Sequence, residues 1–203
     1  MRFDRLVLAT ANPGKVRELR PLVGEWGAGI EVLSLADVAV VTMPAETGQT
    51  YLENALLKAR VVAVATGFPA LADDSGIEVD ALGGAPGVRS ARYAPSEVAA
   101  NEKLLAALRD VPSAERTARY RAVVVIAFSD GSTVSAEGVC EGRIALAPEG
   151  SAGFGYDPLF VADELGRTVG ESTAAEKARV SHRARAMRAL GRALQARGII
   201  ASP

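Results

Sequence analysis

The segment Ala72-Asp73-Asp74-Ser75-Gly76 sets two adjacent carboxylates and a hydroxyl beside a glycine, directly after the apolar Pro69-Ala70-Leu71. Carboxylates so placed suit a hard cation such as Mg²⁺, which prefers oxygen ligands and keeps several waters. A held cation next to a water is the core of many phosphate-cleaving sites. The same residue types are the commonest turn formers, so the pentapeptide also reads as a turn that ends a strand.

Four further segments could serve the same chemistry. Thr10-Ala11-Asn12-Pro13-Gly14-Lys15 joins an apolar run to a helix start. Free N–H groups at a helix N-terminus attract anions, and Lys15 adds a full positive charge. The segment is not a Walker P-loop: Ala9 stands in place of the first glycine and Val16 in place of Ser or Thr. It reads as another kind of phosphate cradle, or as a capped helix with a surface lysine. Glu46 precedes a helix carrying Glu53 and Lys58. Glu53 has capping-box spacing from Thr50, and Lys58 taken alone reads as a solvated lysine.

Ser151-Ala152-Gly153-Phe154-Gly155-Tyr156-Asp157-Pro158 places two aromatics among glycines. Glycines let a flat ligand approach the backbone, and stacking of a base on an aromatic ring is worth roughly 1–3 kcal/mol. An aromatic plug under a loop has the same composition. Lys177, Ser181, His182 and Arg183 lie together near the C-terminus and offer hydrogen-bond donors, or else a solvated basic face. Together these segments supply what a nucleoside triphosphate needs: amides and lysines for phosphates, carboxylates for Mg²⁺, an aromatic for the base and donors for its edge.

The elements that must position these groups follow from periodicity and punctuation. Leu6-Val7-Leu8-Ala9 reads as a short buried strand. Asn12 caps the next helix with Pro13 at its first position, and that helix runs to about Val23. Ile30 to Leu35 is a second strand. Thr50 opens a helix that ends near Gly67, with Leu52, Ala55, Leu56, Ala59 and Ala63 on its apolar face. Ile77-Glu78-Val79-Asp80 reads as a strand, and Gly83 to Gly87 as an irregular loop. Ser96 caps a helix through about Arg109. Tyr120 to Phe128 and Thr133 to Cys140 form a hairpin about Asp130-Gly131. One last helix is expected from about Ala174 to Ala196, burying Val180, Met187, Leu190 and Leu194. No internal repeat or linker interrupts the pattern, so residues 1–203 read as one α/β domain with a mixed sheet.

Bulk composition removes other classes. The 203 residues suffice for one real core. A net charge of -1 gives no global pull toward nucleic acid or an anionic membrane. Cys140 is the one cysteine and His182 the one histidine, which excludes an intrachain disulfide, a cysteine zinc cage and a multi-histidine metal site. Cys140 reads as a small core hydrophobe. With no signal peptide and no apolar run of about 18 residues, a soluble cytoplasmic protein is expected.

Six ordered blocks carry a family resemblance. They are Thr10-x-Asn12-x-x-Lys15; Glu46-Thr47-Gly48-x-Thr50-Tyr51-x-Glu53-Asn54-Ala55-x-x-Lys58-Ala59; Ala72 to Gly76; Gly83-Gly84-Ala85-Pro86-Gly87-Val88-x-Ser90-Ala91-Arg92-Tyr93; Gly153 to Pro158; and Glu176-Lys177-x-x-x-Ser181-His182-Arg183. In this order, from about Leu6 to Leu194, the chain resembles the inosine/xanthosine triphosphate pyrophosphatase family. The resemblance implies a house-cleaning homodimer that uses Mg²⁺ to hydrolyse ITP, dITP and XTP to monophosphate and pyrophosphate. It implies an elongated mixed β-sheet flanked by helices, in two lobes with a central cleft. By family position Asp74 is the catalytic acceptor and a metal carboxylate, Glu46 the second acid near the metal, and Ser75 lies beside the substrate. Thr10, Ala11, Asn12, Pro13, Gly14, Lys15 and Lys58 are phosphate contacts. Phe154, Gly155, Tyr156, Asp157, Lys177, His182 and Arg183 form the nucleoside pocket. Ser172 and Ala184 depart from the family's usual Leu and Gly, which touches base-pocket packing and not the reaction.

The implied reaction is attack of water on the α-phosphorus with pyrophosphate leaving. Two rivals use the same parts: a non-catalytic nucleotide sensor, which needs no acid cluster, and a Mg²⁺-dependent kinase or hydrolase releasing single phosphate, which the broken P-loop pattern disfavours.

Overall fold

The computed structural model describes residues 3–27, 29–38 and 41–201. In chain order the elements are β1 (Arg5–Leu8), α1 (Pro13–Gly24), β2 (Glu31–Leu33), α2 (Tyr51–Thr66), β3 (Ala70–Val79), α3 (Glu97–Ala107), β4 (Thr117–Ala127), β5 (Thr133–Ile144), β6 (Phe160–Ala162), β7 (Arg167–Thr168), α4 (Ala174–Val180) and α5 (His182–Ala196). Helices flank one open, mixed seven-stranded sheet of order β2-β1-β3-β4-β5-β6-β7. β1 runs parallel to β2 and β3, while β6 is antiparallel to both β5 and β7. No helix among the described residues is long and apolar enough to cross a membrane.

The chain divides into two compact units. The first comprises the chain up to Asp74, Ala122–Gly138 and the residues from Arg183 onward. Its core gathers Leu6 and Leu8 of β1, Leu19, Leu22 and Val23 of α1, Val124 and Ile126 of β4, and Met187, Leu190 and Leu194 of α5. The second comprises Ser75–Arg121 and Val139–His182. Its core joins Ile77 and Val79 to Leu104, Leu108, Tyr120, Cys140, Tyr156, Leu159 and Phe160. Cys140 is thus a buried strand residue, as expected.

Local signals set the helix ends. Asn12 Oδ1 accepts from the N–H groups of Gly14 and Lys15 at 2.8 and 3.2 Å, and Pro13 opens α1. Thr50 and Glu53 form the capping box of α2, and Gly67 closes it at a left-handed φ of 72°. Ser96 caps α3.

Four expectations need correction. Ala72–Gly76 is not a turn: it lies within β3, which also absorbs the separate strand expected at Ile77–Asp80. Turn propensity is a local preference, and pairing along the sheet overrides it, as at Val7–Ala70 and Leu8–Leu71. The last helix is two helices, because Ser181 takes an extended conformation with ψ 151°. Leu52 is 41% exposed; the inward face of α2 instead carries Tyr51, Asn54, Ala55, Lys58, Ala59, Val62 and Ala63. The strand expected at Ile30–Leu35 shortens to β2, followed by a 3₁₀ turn at Leu35–Asp37. The short strands β6 and β7 had no sequence signal, since two or three residues carry no readable period.

Candidate active site

Alternation along a strand turns neighbouring side chains to opposite faces, and β3 applies this to Asp73 and Asp74. Both are buried, in the first unit. Arg183 donates to Asp73 Oδ2 from Nε at 3.2 Å and from Nη2 at 3.1 Å. Lys15 Nζ lies 2.8 Å from the same oxygen. Burial works against the charge of Asp73, but Arg183 and Lys15 outweigh it and hold the carboxyl far below the usual carboxylate range. Burial, only partly offset by Asp73, pulls the Lys15 ammonium down.

Asp74 has different company. Asn54 Nδ2 donates to its Oδ2 at 3.1 Å, and Lys58 Nζ lies 3.3 Å from its Oδ1. The same ammonium donates to Glu46 Oε1 at 2.6 Å and to the Asp73 carbonyl at 2.9 Å. Burial pushes the Asp74 carboxyl up; Lys58 opposes this and nearby Glu46 adds to it. Lys58 itself is disfavoured by burial, yet Asp74 and Glu46 raise its pKa. It is a buried ion-pair partner, not the solvated lysine that its local sequence implied.

At the Thr10–Lys15 turn, Thr10 is buried and its Oγ1 accepts from the Asn12 N–H at 3.2 Å. Because Asn12 already takes the amides of Gly14 and Lys15, the cation at this helix start is chiefly the Lys15 ammonium. Ala11, Asn12 and Pro13 are exposed and Gly14 is buried. Ser75 follows Asp74 on β3 and is half-buried.

In the second unit the Gly153–Pro158 loop folds on itself. Asp157 Oδ2 accepts from the Phe154 N–H at 2.8 Å and pairs with Lys177 Nζ. That ammonium sits 4.6 Å from the centroid of the Phe154 ring, within cation–π range. Tyr156 is buried and its hydroxyl donates to the Ser90 carbonyl at 2.9 Å. Burial pushes the Tyr156 pKa up. The His182 ring stacks on Tyr120, with centroids 4.6 Å apart and planes 10° from parallel. Lys177, His182, Asp157 and Tyr120 also border a small cavity of about 10 Å³, room for a water and not for a purine.

The helix break at Ser181 explains how His182 and Arg183, neighbours in sequence, are both buried. Arg183 makes side-chain contacts with Asp73 and with Glu18 of α1.

Three contributors carry no site role in the sequence pattern, although Gly48 and Asn54 lie within the second family block. Asn54 lies one helical turn before Lys58, and that i,i+4 spacing puts both toward Asp74. Gly48 N–H donates to Asn54 Oδ1 at 2.8 Å. A Cβ at Gly48 would meet Asn54 Oδ1 and Glu53 Cβ, each at 2.7 Å, so only glycine fits. Glu18 lies three residues after Lys15 on α1, a spacing that could have flagged it.

Among the described residues no group of three or more His, Cys, Asp or Glu gathers as a metal site; Glu46 and Asp74 share one cation, the Lys58 ammonium. Two carboxylates with water and phosphate oxygens make an ordinary Mg²⁺ environment.

A model of the Ham1 family matches residues 6–193. The chain is 54% identical over 192 residues to a dITP/XTP pyrophosphatase of Thermus thermophilus, covering 94% of this chain and 91% of the relative. It is 52% identical over 189 residues to a dITP/XTP pyrophosphatase of Symbiobacterium thermophilum, covering 92% and 93%. Among solved structures, a HAM1 protein from Coxiella burnetii superposes with a TM-score of 0.85 at 37% identity, covering 96% of this chain and all of the other. With this match running from β1 to within α5, the chain belongs to the Ham1 family.

Proposed function

We propose that this protein hydrolyses the non-standard purine nucleoside triphosphates ITP, dITP and XTP to monophosphate and pyrophosphate, with Mg²⁺ as cofactor, and so cleanses the nucleotide pool. The relatives named dITP/XTP pyrophosphatase support the reaction class. The observation that carries the chemistry is the Lys58 ammonium between half-buried Glu46 and buried Asp74, two carboxylates that share one cation.

The barrier to water attack on a triphosphate is mostly charge. Glu46 and Asp74 would hold Mg²⁺, which supplies positive charge against the triphosphate. Lys15 and Lys58 add fixed positive charge, and the turn from Thr10 to Lys15 holds the phosphate chain. Ser75 contacts the substrate beside the catalytic acid. Asp74 orients the attacking water and accepts its proton. In the metal-free protein burial holds its pKa above the ordinary aspartate value of about 3.9; bound Mg²⁺ would offset that shift, so orienting the water contributes more than basicity.

The residues of the second unit suit the nucleoside. Phe154 offers a stacking face, flanked by Gly155 and rooted by Tyr156 and Asp157. Lys177 and His182 offer donors to the C6 carbonyl of hypoxanthine and xanthine. Adenine presents an amino donor there, and leaving a buried donor unpaired costs roughly 1–3 kcal/mol. Arg183, by family position a nucleoside contact, also neutralises Asp73. We further infer a cytoplasmic homodimer, as the resemblance implies; light scattering after size exclusion tests the dimer.

Incubation with ITP and Mg²⁺ and identification of the products decides the reaction. Monophosphate plus pyrophosphate supports it. Diphosphate plus phosphate would favour the single-phosphate hydrolase, and binding without product a sensor.

A further inference from the structure

We infer that Asn101 of α3 is a positioning residue for the base-stacking loop, acting on Phe154 through Gly155. The inference rests on the nucleoside role proposed for that loop. Phe154 sits between two glycines in left-handed conformations, Gly153 at φ 81° and Gly155 at φ 65°. Two glycines at such angles leave the segment many alternatives, so the direction of the Phe154 ring depends on side chains that tie the backbone on each side. On its N-terminal side, the Phe154 N–H donates to Asp157 Oδ2. A Cβ at Gly153 would run into that carboxylate, which fixes the turn sterically as well. On its C-terminal side, Asn101 Nδ2 donates to the Gly155 carbonyl at 3.1 Å, across 54 residues of sequence.

The amide orientation follows from this bond. Turned over, the Asn101 oxygen would oppose the Gly155 oxygen. In the orientation adopted, Oδ1 is buried with no hydrogen-bond partner. A residue kept only for packing would gain nothing from an unpaired buried acceptor. The amide thus spends its donor on Gly155 and leaves its acceptor without a partner. Tyr156 anchors the next residue to Ser90, so the loop is held at three successive points: Phe154, Gly155 and Tyr156. Of these three ties, the Asn101 bond is the one made by a side chain of neither the loop nor the proposed pocket.

The test compares Asn101→Ala and Asn101→Asp with the wild type. Asn101→Asp keeps the shape, removes the donor and sets an oxygen against the Gly155 carbonyl. Binding of inosine monophosphate and of pyrophosphate is measured by calorimetry, alongside ITP kinetics. Both variants are expected to lose about five- to tenfold in monophosphate affinity and to raise KM for ITP by a similar factor. Pyrophosphate affinity and kcat should stay within about twofold. Unchanged monophosphate affinity in Asn101→Ala, or wild-type behaviour of Asn101→Asp, overturns the inference. Loss of both affinities together also overturns it, because that marks a structural role in the fold. A wild-type protein that binds monophosphate without cleaving ITP would sink the proposed reaction alone, since the Asn101 comparison reads binding. A wild type that binds no monophosphate sinks both.

Discussion

Asp73 and Asp74 are consecutive on β3, yet their acidities move in opposite directions. Strand alternation gives Asp73 to Arg183 and Lys15, and gives Asp74 to Asn54 and Lys58 with Glu46 nearby. Burial opposes the charge of both. Two cations outweigh it at Asp73; at Asp74 the net effect remains upward. One acid is thereby a fixed anion that holds two cations in place, and the other is an acid poised to accept a proton.

Asp73 is expected to stabilise the fold. In Asp73→Asn, buried Arg183 and partly buried Lys15 lose their shared anion, and breaking a buried pair in this way costs about 3 kcal/mol. The folded-state pKa of Asp73 lies below the unfolded value, so its contribution is complete above the unfolded pKa of about 3.9 and fades as pH falls toward the folded value. Urea unfolding at pH 7 and near pH 3 should show a large gap between wild type and variant that narrows in acid. An equal gap at both would assign the loss to packing.

Asp74 is expected to set the acid limb of activity. Its raised pKa means that the carboxylate is protonated at higher pH than an ordinary aspartate, so the acid limb of kcat/KM should lie at higher pH than an ordinary aspartate would give. Mg²⁺ and protons compete for one carboxylate, so more Mg²⁺ should move this limb to lower pH. Asp74→Asn should lower kcat by at least about 100-fold with nucleotide binding still measurable. A limb indifferent to Mg²⁺ would separate the titrating group from the metal site.

Much of this arrangement was legible in the sequence because its cues are local. The caps at Asn12, Thr50 and Ser96 marked where three helices begin. The periodicity of Leu6–Ala9 and Tyr120–Phe128 marked two strands of the sheet. What escaped depends on the third dimension. Asp-Asp-Ser-Gly has the chemistry of a turn, and only pairing along β3 makes it a strand. Lys58 reads as a surface lysine until Glu46, twelve residues earlier, is folded back on it. Asn101 and Gly155 are 54 residues apart, and nothing in either segment announces the other. The break at Ser181 was hidden because the helical spacing continues through it.

Gly48 and Asn54 give a test of how tightly Asp74 is supported. Gly48→Ala places a methyl group 2.7 Å from Asn54 Oδ1 and from Glu53 Cβ. The overpacking should cost about 1–3 kcal/mol and displace the Asn54 amide from Asp74. Asn54 donates to the charged form of Asp74 and lowers its pKa, so Asn54→Ala should move the acid limb of kcat/KM to higher pH. Gly48→Ala should move it the same way. Two variants with unshifted limbs and normal rates would remove Asn54 from the support of the catalytic acid.

Lys58 separates a phosphate-binding role from a purely structural one. Its ammonium occupies the two carboxylates proposed to hold Mg²⁺, so in the free protein it competes electrostatically with the metal. Lys58→Met keeps the chain length and removes the charge. Glu46 and Asp74 then lose the ammonium they share, and their attraction for a cation rises. Calorimetry should therefore show tighter Mg²⁺ binding to the nucleotide-free variant than to the wild type. Turnover should move the other way, because the positive charge proposed to face the triphosphate is gone; loss of one such group commonly costs about 100- to 1,000-fold in kcat. The opposed signs are the test. If Mg²⁺ affinity and turnover fell together, Lys58 would be holding the carboxylates in place rather than sharing them with the metal.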